Sequence, residues 1–183
     1  MRITILNGDP QAVSGFCNYI DRLAKRLAAL GHSVEEIDLR HLDLKGCSGC
    51  FGCWVKTPGE CVKRDDSARI CRSAINSDLW VLASPLTMGF TTALLKRAAD
   101  QAIPLLHPYF VMEGGEIHHR ARYARYPAIA LLLGAGADAD SEDIEITTAI
   151  WASFARDFKS RLVSAAVADR PVEEVANEFT AGA

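Results

Sequence analysis

Four cysteines, Cys47, Cys50, Cys53 and Cys61, fall inside fifteen residues with the spacing C-x2-C-x2-C-x7-C. Thiolates are soft metal ligands and good redox groups, so thiols this close together point to electron transfer or redox chemistry. Three cysteines at x2 intervals can wrap one iron–sulfur cube, with the fourth closing it from further away. A structural zinc is less natural at this spacing, because zinc folds separate two cysteine pairs by a longer loop. Free thiols could instead relay electrons or form a transient disulfide. A glycine-rich turn with small buried cysteines would do no chemistry at all. All four readings stay open on spacing alone. The Pro58-Gly59 turn gives Cys61 the freedom to fold back, which helps both metal readings. Cys17 and Cys71 stand at helical positions and read as core residues.

The chain around these thiols has 183 residues, the size of one α/β domain with a sheet covered on both faces. A single domain over residues 1–183 is expected, with an inserted excursion at about 102–126. No apolar run approaches the ~20 residues that span a bilayer, and the amino terminus runs straight into a strand, so a cytoplasmic protein with no membrane partner is expected. A net charge of −3 gives generic nucleic-acid binding little support.

The apolar period switches repeatedly between strand and helix values, which implies alternating elements. Ile3, Ile5 and Leu6 form a strand stopping at Asn7-Gly8-Asp9-Pro10, and Phe16, Ile20, Leu23, Leu27 and Leu30 recur at helical spacing up to a Gly31 cap. Val34 to Leu39 reads as a polar edge strand, and Leu79 to Ala83 as a buried central one. Asp65-Asp66-Ser67 offers capping oxygens to a helix through Ile75, and a helix from about Thr91 to Gln101 follows Ser84-Pro85. Ala128 to Leu133 is the next strand, and Ser141 or Asp143 caps a long helix. Val163 to Val167 is a fifth strand, and Val172 to Phe179 a final helix. Five strands alternating with helices imply a doubly wound sheet that binds ligands at the carboxyl ends of its strands. Three of those ends are loops bearing glycine or proline, at 7–15, 84–90 and 134–140, the last carrying Gly134 and Gly136. The cysteine segment follows the remaining early strand, so ligand loops and thiols should converge on one side.

The stretch from Gly46 to Asp66, GCSGCFGCWVKTPGECVKRDD, and the run Ser84, Pro85, Leu86, Thr87, Met88, Gly89, Phe90 resemble the flavodoxin-like NAD(P)H-dependent FMN reductases. They are especially similar to the branch containing the iron–sulfur flavoproteins. The resemblance covers residues 1 to about 168. It implies a three-layer α/β/α sandwich with a five-stranded parallel sheet in the order 2-1-3-4-5. It also implies FMN, with NAD(P)H or a protein as electron donor, and the 84–90 loop against the isoalloxazine. The similar iron–sulfur flavoproteins hold a [4Fe–4S] cluster on a motif of this form, which would assign Cys47, Cys50, Cys53 and Cys61 as ligands. Thr87 stands where that family often has Tyr, and Met88 where Phe or Trp is common.

In the first loop Gly8 and Pro10 match the family's phosphate loop, but Asp9 takes the place of a serine. If Ser14 caps the helix, the amides of Gly15, Phe16 and Cys17 are free for phosphate. If Asp9 caps it, with Pro10 in the first turn, a carboxylate occupies the anion site and Gly15 falls in the helix interior. The Ser14 cap is the expectation, with Asp9 as a cost to FMN affinity.

The excursion carries His118, His119, Arg120, Arg122, Tyr123, Arg125 and Tyr126. Adjacent histidines point different ways on most backbones and do not share a metal unaided. Arginines and tyrosines together could recognise a carboxylate or phosphate, though a solvated or subunit-interface loop is the expectation. Proteins of the resembled family are commonly dimers or tetramers, so a homodimer or homotetramer is implied, with a small-molecule or protein electron acceptor. A flavin-free electron carrier or metal-binding module on the same fold is the alternative, and Asp9 is its best support.

Overall fold

The computed structural model describes residues 1–136 and 138–183. Its parallel strands are β1 (Arg2–Asn7), β2 (Ser33–Asp38), β3 (Leu79–Thr87), β7 (Ala128–Gly134) and β8 (Leu162–Val167), in the spatial order β2-β1-β3-β7-β8. Two short antiparallel pieces complete the strands. β4 (Phe90–Thr91) pairs with the end of β3, and β5 (Leu106–Glu113) pairs with β6 (Glu116–Ala121). The five parallel strands are those read from the apolar period, and their order is the one the resemblance implied.

Side chains alternate across the sheet and feed two cores. Leu79, Val81 and Ala83 of β3 pack with α1 (Gly15–Ala29) and α6 (Val172–Ala181), while Trp80 and Leu82 pack against the opposite layer. That layer holds α3 (Ser67–Asn76), α4 (Ala93–Asp100) and α5 (Ser141–Asp157). A one-turn helix, α2 (Gly52–Val55), lies inside the cysteine segment. Among the described residues no helix is long and apolar enough to cross a membrane.

Local chemistry explains the ends. Ser14 caps α1, its side chain accepting from the Cys17 amide, and Gly31 follows at φ 85°, a left-handed position that suits glycine. Asp140 caps α5 with Asp143 completing a reciprocal box, so Asp143 supports the cap and Ser141 is already helical. Before α3 the capping oxygen comes from Asp65, which accepts from the Ser67 amide at 3.0 Å, while Asp66 makes no side-chain cap. The second carboxylate oxygen of Asp65 and that of Asp66 instead accept from the amides of Lys45 and Asp43, which pins the start of the cysteine segment to α3.

Two expectations about loops are corrected. The 84–90 segment is a hairpin, because β3 runs on to Thr87 and turns at Met88 (φ 54°) and Gly89 (φ 74°) to pair Thr87 with Phe90. Two successive positive φ angles match the strand twist of a tight hairpin. The left-handed conformation at Met88 costs about 1–2 kcal/mol. The 102–126 excursion is likewise ordered, with Gly114 (φ 60°) and Gly115 (φ 85°) joining β5 to β6. It folds back on α5 through His118 to Asp157 at 2.9 Å and Lys159 to Glu113 at 2.6 Å.

Gly8 is a joint of the sheet edge closed partly by backbone: an added Cβ would lie 2.9 Å from Leu95 Cβ and 3.0 Å from the Ala83 carbonyl. Overpacking of this kind costs ~1–3 kcal/mol. Gly8→Ala should therefore lower the urea midpoint by that amount of stability with an unchanged slope, and an unaltered midpoint would contradict the packing.

Candidate functional site at the strand ends and the thiol chamber

The loops after β1, β3 and β7 are knitted into one edge. The Gly8 amide donates to the Ala83 carbonyl at 2.8 Å, and the Thr92 hydroxyl donates to the Gly8 carbonyl at 2.6 Å. Ser84, fully buried, accepts from the Thr92 amide at 2.9 Å and donates to the Pro85 carbonyl. The Phe16 ring lies over Gly134, where a Cβ would come within 2.7 Å, and Asp143 lies over Gly89. Gly15 and Gly136 face open space, and Pro10 is exposed. Leu86 and Thr87 form the hairpin ladder, and Met88 projects fully into solvent at its tip.

Three expectations about the first loop meet different fates. The Ser14 cap is present. Of the three amides it was to leave free, Cys17 is taken by the Ser14 hydroxyl at 2.9 Å. Those of Gly15 and Phe16 have no acceptor among the described residues. Asp9 is only 2% exposed, although it does not cap the helix. Its carboxylate accepts from the Gln11 amide at 2.8 Å, from the Ser14 hydroxyl, and from the Cys17 thiol at 3.4 Å.

Sequence reasoning missed Arg40 and the polar neighbours of Cys17, which is buried in α1 as expected. The Arg40 guanidinium pairs with Asp38 and donates to the carbonyls of Asp9 and Gln11. It also lies 3.3 Å from the Cys17 sulfur. Cys17 is buried, but among polar partners rather than in either apolar core, with Asn7 Nδ2 at 3.7 Å. Asn7 also donates to Glu36 at 2.9 Å, and burial pushes the Glu36 carboxyl up against that bond. The polar character of β2 was the available signal: Glu36 and Asp38 at an edge strand demand a cation nearby.

The thiols stand elsewhere. Cys47, Cys50, Cys53 and Cys61 line one small cavity of about 30 Å³ together with Asp100, Gln101, Ile103 and Pro104. Those last residues mark the far end of α4, whose near end, Thr92, touches the strand-end loops. Eight residues at 1.5 Å rise separate the two by about 12 Å. Arg97 and Gln101 donate to the carbonyls of Leu44 and Lys45, so the segment is carried down the helix instead of staying at the sheet edge. The expected convergence of thiols and ligand loops is thus corrected to two sites at opposite ends of one helix.

Gly49 (φ 64°) and Phe51 (φ 57°) curl the cysteine segment. Burial pushes the Cys53 thiol up, and the neighbouring sulfurs of Cys61, Cys47 and Cys50 add to the effect. The Gly52 amide holds the exposed Cys50 thiol below its ordinary range, helped by the Ser48 side chain and Lys63. Cys71, deep in the core as expected, is pushed up to about 12 by burial. Among the described residues no three potential metal ligands stand close enough to hold an ion, and all six thiols are free. Cys47, Cys50, Cys53 and Cys61 nonetheless share the lining of one chamber, and four thiols of one chain are the donor set of an iron–sulfur cluster.

The excursion meets this chamber. Trp54 donates to the Leu106 carbonyl at 3.0 Å, and the rings of Phe51, Trp54, His119 and Phe110 follow one another at 5.3, 4.9 and 4.9 Å. His118 and His119 do point apart, one to α5 and one to Trp54. Arg122 donates to the carbonyls of Pro104 and Leu106, and the exposed Arg125 pairs with Asp78.

The model of the NADPH-dependent FMN reductase family matches residues 1–139. The chain belongs to that family. An iron-sulfur flavoprotein of Archaeoglobus fulgidus is 32% identical over 107 residues, 58% of this chain and 48% of that protein. The chain spans about half the length of the curated relatives it matches. Among solved structures, an NAD(P)H:quinone oxidoreductase from Methanothermobacter marburgensis superposes with a TM-score of 0.69 at 17% identity, covering 100% of this chain and 97% of that one. An FMN-dependent NADH-azoreductase from Bacillus anthracis, solved with FMN, gives 0.65 at 15% identity, covering 100% and 96%. At these identities the two structures share the fold of this FMN reductase family member.

The thiol environments order reactivity. In metal-free reduced protein at pH 7–8, Cys50 should be the first of the six to be alkylated by iodoacetamide, because its thiolate is the best populated at an exposed position. Cys71 should stay unmodified up to pH 10 in the folded state. Peptide mapping of a time course checks the order, and early labelling of Cys71 would contradict it.

Proposed function

We propose that this chain is an FMN-dependent oxidoreductase that takes electrons from NAD(P)H or a protein donor and passes them to a small-molecule or protein acceptor. The observation carrying this reading is the locked strand-end edge. Gly8, Ser84 and Thr92 fix the loops to one another, while among the described residues Gly15 and Gly136 open onto free space and two helix amides lack acceptors. The residues fit FMN in that form. The open amides of Gly15 and Phe16, beside Ser14, would meet its phosphate, and the Ser84–Gly89 hairpin with Gly134 and Gly136 would border its ring. Bound flavin supplies the hydride and electron chemistry. The chain's own residues bind, orient and shield, and no side chain need act as acid or base. Asp9 supports a second reading, a flavin-free electron carrier, because an anion already sits among the loop donors.

Cys47, Cys50, Cys53 and Cys61 would hold a [4Fe–4S] cluster, a reading supported by their shared chamber and by relatives named iron-sulfur flavoproteins. A cytoplasmic setting keeps such thiols reduced. A homodimer or homotetramer is supported by the exposed Tyr109, Phe110, Met112 and Ile117 of the β5–β6 hairpin, an apolar surface suited to cover by another subunit.

Anaerobic reconstitution with iron, sulfide and FMN tests the whole reading. Flavin bands, a broad iron–sulfur shoulder and NAD(P)H-dependent bleaching are expected together. Cys50→Ala should lose the shoulder and most of the iron but keep stoichiometric flavin. Loss of flavin as well would make the segment structural, and a colourless wild-type protein would favour the carrier. Light scattering should give a dimer or larger, and a fully active monomer would overturn the oligomer.

A further inference from the structure

We infer that the first strand-end loop selects its flavin by the ring and not by the phosphate, because Asp9 supplies the loop with an anion of its own. The inference rests on the flavin reading above and concerns which flavin the edge prefers. A loop that attracts phosphate does so with unpaired amides and hydroxyls at a helix start. Here the Asp9 carboxylate, 2% exposed, has both oxygens engaged by those donors. Oδ1 accepts from the Gln11 amide at 2.8 Å, and Oδ2 accepts from the Ser14 hydroxyl and from the Cys17 thiol at 3.4 Å. Ser14 is the side chain best placed to meet a phosphate, yet it gives its proton to Asp9.

The cation of the loop does not redress the balance. Arg40 directs its Nη1 to the carbonyls of Asp9 and Gln11 and to the Cys17 sulfur, and its Nη2 to Asp38. Its charge is matched by Asp38, which leaves Asp9 as the uncompensated carboxylate beside the two free amides of Gly15 and Phe16. A phosphate dianion arriving there meets like charge a few ångströms away in a partly buried setting, where screening is weak. Two open amides still attract it, so the two effects oppose one another. An uncharged ribityl hydroxyl meets no such repulsion. The site therefore accepts riboflavin nearly as well as FMN.

Fluorescence-quenching titration of the wild-type protein with FMN and with riboflavin tests this directly, without requiring turnover. The expected result is a ratio of dissociation constants, riboflavin over FMN, below about tenfold. Asp9→Asn keeps the shape and the Gln11 contact but removes the charge, and should raise that ratio at least tenfold by tightening FMN, with riboflavin changed less than twofold. A wild-type ratio above a hundredfold would overturn the inference, as would an unchanged ratio in an Asp9→Asn protein whose circular dichroism and melting temperature match wild type. The wild-type ratio stands as a test even if the variant fails to fold. Binding of neither flavin by either protein would overturn the flavin reading itself, whereas FMN binding only after Asp9→Asn would support the inference in its strongest form.

Discussion

One hydrogen bond organises the chemistry of this chain: the Thr92 hydroxyl to the Gly8 carbonyl, set where Gly8 packs against Leu95 and Ala83 too closely for any larger residue. The same threonine caps α4 by accepting from the Leu95 amide and donates its own amide to Ser84. Strand ends, hairpin and helix start thus form one rigid unit. From that fixed point α4 runs about 12 Å to the residues that border the thiols, so it acts as a spacer of set length between the strand-end loops and the thiol chamber.

The electrostatics of the two ends differ in kind. At the sheet edge Asn7, Asp9, Glu36, Asp38 and Arg40 form a hydrogen-bonded network around Cys17. Such a network holds a loop in shape at the expense of its appetite for an external anion. At the far end, the four cysteines line a chamber whose walls are mainly apolar. Burial and neighbouring sulfurs there oppose thiolate formation at Cys53, while the Gly52 amide favours it at Cys50. A cation or cluster that draws four thiolates together would relieve the first effect and exploit the second.

The β5–β6 hairpin links these regions to the outside. A two-stranded ribbon is marginal in water. This one is held by His118 on Asp157 and Glu113 on Lys159, at the end of α5, on one face and by the Trp54–His119–Phe110 ring series on the other. The segment is therefore coupled to the cysteine turn, although about fifty residues separate them in sequence.

The sequence by itself determined the alternation of strands and helices, the buried run at Leu79–Ala83, the Ser14 and Gly31 caps and the grouping of four cysteines. These depend on local period, capping chemistry and spacing, which are written residue by residue. Long-range pairing decided the rest. The path of Asp43–Cys61 down α4 depends on Asp65, Asp66, Arg97 and Gln101 catching its backbone. Arg40 reaches the first loop only because β2 lies beside β1. Neither Met88 in a left-handed turn nor Asp9 facing the Ser14 and Cys17 side chains has a local signature. Each is set by what the folded chain places opposite it, and only tertiary structure supplies that.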